Sequence, residues 1–265
     1  MSAFSDQIDQ DHKAHFDSAD RLTAFSKSQI NASVLPKLNS AESTVLVLFL
    51  IRAHTTFAAG VHLCRSGYAV DSVMQSRNLV EQLVTLRFIL TNVGTAERWV
   101  EYDAASKKRT LDRVLGLGDE FSELKACWSA QEAQIENNYQ SFKAKYKADF
   151  NKYYWAGGGN SIRELSKKAD SQELYDYFYG FCSEVIHGTV RTSRYYFEFH
   201  NAVPTFYPGP TPFLLPDALT ILLTLFPLFW DEVSILNGKP SWEELRGVAT
   251  YPLFEYFSRN PKKPS

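Results

Sequence analysis

The chain has 265 residues, 45% of them hydrophobic and 22% charged, ordinary values for a globular protein with a sizeable core. A formal net charge of −2 excludes a protein that holds nucleic acid through a bulk positive field, although a local basic patch stays compatible with it. The polar, acidic start MSAFSDQIDQDHKAHF excludes a signal peptide, and the apolar runs Val45–Ile51 and Leu219–Trp230 read as too short to span a bilayer.

Cys64, Cys127 and Cys182 are far apart and in no metal spacing, so they read as free thiols in a reducing cytoplasm, with no membrane partner expected. The 19 Phe, 14 Tyr and 5 Trp point to a wide core or an aromatic-lined pocket. Residues 1–39 read as an N-terminal helical segment, one helix or two, with Phe16, Leu22, Phe25, Ile30, Val34 and Leu35 apolar and Pro36 as its end. Ser40 or Ser43 caps the next helix, which is apolar nearly all round from Val45 to Ile51 and stops at Gly67. A short turn then leads into DSVMQSRNLVEQLVTLRFILTN, residues 71–92, with Asp71 as the expected N-cap. This stretch organises the rest of the chain. At 100° per residue Arg77 falls among Val73, Met74, Val80, Val84 and Phe88, and Glu81 follows one turn on. Two opposite charges in an apolar seam need a partner or a purpose.

A further helix starts at Thr95 and breaks at Gly116 and Gly118. Residues 119–150 carry sparse apolar spacing and read as one long, partly exposed helix, a protruding arm or an oligomer contact. The loop Trp155–Asn160 has three glycines but lacks the Lys-Ser/Thr ending of a phosphate loop, so Asn160 or Ser161 reads as a helix cap. Asp170-Ser-Gln-Glu173 resembles a capping box for a helix whose apolar stripe is Leu174, Phe178, Phe181 and Val185. Its other face carries Asp176, Gly180, Ser183, His187, Arg191 and Arg194, with Ser183 and His187 one turn apart. Residues 201–216 hold five prolines and read as an irregular segment lying on the domain as a lid. Asp217 caps a strongly apolar helix kinked at Pro227, and 259–265 is a flexible basic tail. The architecture expected is all-α: one helical bundle over 1–265, its core at about 40–236, with a protruding helical segment and a Pro-rich loop.

The succession SRNLVEQLVTLRFIL, ERWVEY and YDYFYGFCSEVIHGT resembles a large bacterial all-helical family known as a domain of unknown function. That family is marked by an early R-x-x-x-E helix and a late S-x-x-x-H-G segment, matched here by Arg77, Glu81, Ser183, His187 and Gly188 over roughly residues 40–200. A second, weaker resemblance is to HEPN domains, helical bundles that often act as metal-independent ribonucleases in toxin–antitoxin and phage-defence systems. Their signature places Arg before His on one late helix, whereas here His187 precedes Arg191.

The candidate catalytic residues are therefore His187, Arg77, Glu81 and Ser183, with Arg191, Arg194 and Asn160 as substrate-binding candidates. Histidine titrates near neutral pH, Glu orients or shares a proton, and Arg holds a phosphate or carboxylate bidentately. RNA cleavage by a neighbouring 2′-hydroxyl needs no more than these. The sequence holds no HExxH motif, so neither a metal nor a cofactor is expected. Two readings of different class follow: a metal-independent ribonuclease or toxin acting on RNA, and a non-catalytic helical module that binds a partner protein or small ligand. A homo-oligomer is compatible with either.

Overall fold

The computed structural model describes residues 3–31, 39–146, 156, 161–187, 196–200, 203–206, 209–237 and 242–248. The fold is all-α. Helices α1 (Ala3–Asp11) and α2 (Lys13–Asn31) precede the long hairpin of α3 (Ala41–Arg65) and α4 (Ala69–Thr91). Short helices α5 (Thr95–Glu101) and α6 (Asp103–Leu115) come next, then α7 (Ser122–Ser129) and α8 (Glu132–Tyr146). After α9 (Ile162–Lys168), the late helix begins as α10 (Gln172–Leu174), loosens into a π-helical turn at Tyr175–Tyr179, and resumes as α11 (Gly180–Ile186). A small antiparallel hairpin, β1 (Phe197–His200) with β2 (Val203–Phe206), pairs Phe197 with Phe206. Helices α12 (Leu215–Asn237) and α13 (Trp242–Val248) follow.

Local chemistry explains the boundaries. Ser40 starts α3 with a reciprocal box, its hydroxyl accepting from the Ser43 N–H while the Ser43 hydroxyl accepts from the Ser40 N–H. At the other end Gly67 takes φ 80°, a left-handed value glycine adopts without steric cost, and the chain reverses there. The reversal is tight enough that α4 starts at Ala69, not at Asp71. Tyr68 occupies the cap position, and Asp71 lies in the first turn, where its carboxylate still meets the positive helix end. Ser161 is the cap of α9, accepting from the Glu164 N–H.

Helix α4 is the hub, packing against α3, α5, α9, the π turn, α11 and α12. The central trio is α3, α4 and α12, while the late helix lies on α4. A Cβ on Gly60 would stand 2.9 Å from both methyls of Leu222, so glycine permits the close approach of α3 and α12. Across that contact Phe57 stacks on Phe226 at 4.3 Å.

Several expectations need correction. The stretch expected as one helix over 119–150 is, within its described residues 119–146, broken into a 3-10 turn at Asp119–Phe121, α7 and α8. Helix α8 folds back on α6, burying Ile135, Tyr139 and Phe142, the last two against Ala105 in a satellite cluster. The cap position expected at Asp170 falls instead on Ser171, which makes no side-chain cap bond, its hydroxyl donating to the Ala169 carbonyl, while Asp170 before it takes a left-handed φ of 50°. The late segment is not wholly irregular either. Its β2 belongs to the hairpin, and the Thr211 N–H donates to the Gly67 carbonyl at the α3–α4 turn.

The two apolar runs that look short in sequence lie within helices Ala41–Arg65 and Leu215–Leu236, both long and apolar enough by length and composition to cross a membrane. Most of the second is buried inside the protein, as a core helix would be. That helix also carries a charge pair missed in the sequence: Arg87 Nε donates to Glu232 Oε1 at 2.7 Å, both side chains 2% exposed.

Candidate functional site

Arg77 and Glu81 stand one turn apart on α4, so their side chains meet on one helix face. Neighbouring Val73, Val80, Val84 and Phe88 are buried, whereas Met74 is exposed. The charges therefore lie at the rim of the apolar seam, 25% and 34% exposed. This rim position lowers the desolvation cost that a sealed pair would carry.

The late helix closes over them with an aromatic side chain. Arg77 Nη2 donates to the Tyr179 hydroxyl at 2.6 Å, and that hydroxyl donates to Glu81 Oε1 at 3.2 Å. The Arg77 guanidinium also lies over the Tyr179 ring, 4.8 Å from its centroid. Arg77 Nε is 3.5 Å from Glu81 Oε1, within ion-pair range but not aligned as a hydrogen bond. Burial opposes the charge on Arg77, yet Tyr179 and Glu81 outweigh it and raise the pKa further.

Tyr175 stacks on Tyr179 at 4.6 Å with the rings 19° apart. The π turn containing both adds residues to the helical circuit and so rotates the preceding side chains relative to α11. Burial raises the Tyr175 phenol, with Tyr179 adding to it and the nearby Arg163 and Arg77 working against it. Behind the pair, Cys182 is buried, and burial pushes its thiol up to about 12 even with Arg77 acting in the opposite sense.

Ser183 and His187 continue the row of Tyr179 at i+4 and i+8, Ser183 half-buried and His187 exposed at the end of α11. The His187 N–H donates to the Ser183 carbonyl at 3.0 Å. Among the described residues, the group that bridges Arg77 and Glu81 is Tyr179, and no hydrogen bond or ion pair joins the side chains of Ser183 or His187 to them. His187 is eight residues beyond Tyr179, a rise of about 12 Å along an α-helix. Asn160, Gly188, Arg191 and Arg194 lie outside the described residues. The proline-rich stretch is anchored at Gly67, ten residues before Arg77 and about 15 Å away along α4. Among the described residues no three His, Cys, Asp or Glu side chains gather as a metal-binding group.

Tyr179 was missed as a site residue because it sits in the aromatic run Tyr175–Tyr179, which reads as core. The available signal was its spacing, since Tyr179, Ser183 and His187 form a four-residue row. Chemically, the cluster is a cation and a carboxylate joined through a phenol, able to fix two helices together and partly open to solvent.

No curated protein and no solved structure matches the chain. Residues 43–203, from the first turn of α3 to the first residue of β2 and including Arg77, Glu81, Tyr179, Ser183 and His187, match the model of a family of unknown function, DUF5677, and the chain belongs to that family.

Proposed function

We propose that the chain is a non-catalytic helical module of the cytoplasm that binds a small ligand or a partner protein. The Arg77–Tyr179–Glu81 cluster sets how the late helix sits on α4. The observation that carries this reading is the direction of the hydrogen bonds: Arg77 donates to Tyr179 and Tyr179 to Glu81, so the groups best suited to chemistry hold one another. Such a network specifies a geometry between two helices. Expression of the wild type beside His187→Ala in a bacterial host tests it. Growth and total RNA should be the same for both, and RNA fragmented by the wild type but spared by the variant overturns the reading.

A metal-independent ribonuclease of the HEPN kind, in a toxin–antitoxin or defence setting, is the second reading. It is favoured by two observations: Arg163 and Arg77 both act on Tyr175, and His187 lies on the Tyr179–Ser183 row. In that scheme His187 exchanges the proton of the 2′-hydroxyl, arginine neutralises the phosphate, and Ser183 lies one turn before the histidine on the same helix.

A further inference from the structure

A cleft of about 280 Å³ opens between the late helix and the start of α12, on a different set of residues from the Arg77 cluster. It is lined by Tyr177, Phe178 and Phe181 from one side and by Pro216, Asp217, Thr220 and Ile221 from the other. Phe178 is buried and contributes to the core, while Tyr177 is 59% exposed and stands edge-to-face with Phe178 at 4.9 Å. The lining therefore has one buried ring, one exposed ring and a third, Phe181, that is half-buried.

Charge narrows the choice of occupant. Among the described lining residues Asp217 is the one carboxylate, and there is no Lys, Arg or His. A helix start would ordinarily attract an anion through its free N–H groups. This one offers few: Pro216 has no N–H, the Leu215 N–H donates to the Pro212 carbonyl at 3.3 Å, and the Ala218 N–H donates to the Leu214 carbonyl at 2.8 Å. Asp217 already supplies the negative charge that the helix end favours. Aromatic faces with one carboxylate and no competing cation form the chemistry that recognises a desolvated organic cation.

We propose that this cleft binds a small organic cation of the quaternary or methylated ammonium class, its alkyl groups against Tyr177 and Phe181 and its charge facing Asp217. The proposal rests on the binding-module reading and gives it a ligand class and a place. A methylammonium head fits the volume, and the aromatic walls suit its alkyl surface. A neutral molecule of the same shape would gain the apolar contact alone. An anion would meet Asp217 with no lining cation to offset it.

Calorimetric titration of the full chain with choline and with its uncharged isostere 3,3-dimethylbutan-1-ol tests the assignment. Choline should bind about tenfold more tightly than the alcohol, and Asp217→Asn and Tyr177→Leu should each weaken it about fivefold or more. Both substitutions fall on exposed side chains, and an unchanged melting temperature shows that the fold is kept. Equal binding of choline and the alcohol overturns the cation assignment while leaving a small-ligand module standing. Choline binding unchanged in both variants places the ligand elsewhere and overturns the site. No binding of either probe also overturns it, and the RNA comparison then decides separately whether the module reading survives.

Discussion

Arg77 and Arg87 lie on the same helix, yet burial gives their ion pairs different consequences. Arg87 and Glu232 lie in the core with side chains 2% exposed, so removing one takes an ion-pair partner from a charge that water hardly reaches. Arg87→Met should cost about 3–5 kcal/mol in urea denaturation, whereas Arg87→Met with Glu232→Leu should cost much less. Equal losses for the single and double variants would show that the charges do not compensate one another. The buried thiols make a second case. Burial raises Cys64 from 9.0 to about 11 and Cys182 from 9.0 to about 12. The unfolded chain releases these protons first, so their contribution is complete below pH 9.0 and is lost as pH rises from there through the folded values. Each thiol should remove up to about 1.4 kcal/mol per pH unit in that window. Urea midpoints at about pH 8 and about pH 10.5 should fall less steeply for Cys64→Ala/Cys182→Ala than for the wild type, and identical slopes would contradict the burial of these groups.

At the scale of elements, much of the chain was legible because its signals are local. The Ser40 and Ser161 caps, the Gly67 reversal and the helical spacing on either side specify α3, α4 and α9 through neighbours in sequence. The role of α4 as hub follows from apolar positions all along it. What could not be read depends on distant partners. Glu232 meets Arg87 across 145 positions, and in sequence Arg87 looks like one more charge between Leu86 and Phe88. The π turn at Tyr175–Tyr179 has no composition of its own, so the orientation of the side chains before Gly180 relative to α11 could not be read from a regular helical wheel. Residues 119–150 carry apolar spacing fit for one helix, but α8 gains more by turning back to bury Tyr139 and Phe142 against α6 than by extending into solvent.

Across the whole molecule, the late helix is held by α4 on one side and joined to α9 at its start, while α3 and α12 complete the core beyond α4. Its polar attachment is the Arg77–Tyr179–Glu81 bridge, which lies at the rim where both the cleft by Tyr177 and the exposed end at His187 depend on how that helix sits. The central claim is that this bridge is a positioning device. A double-mutant cycle by urea denaturation on Arg77→Met and Tyr179→Phe tests it directly, because phenylalanine keeps the ring under residue 77 and removes the hydroxyl alone. The account predicts a coupling energy of about 1–2 kcal/mol, the value of a charge-assisted hydrogen bond reduced by partial exposure. Additive losses, with coupling below about 0.3 kcal/mol, would contradict it.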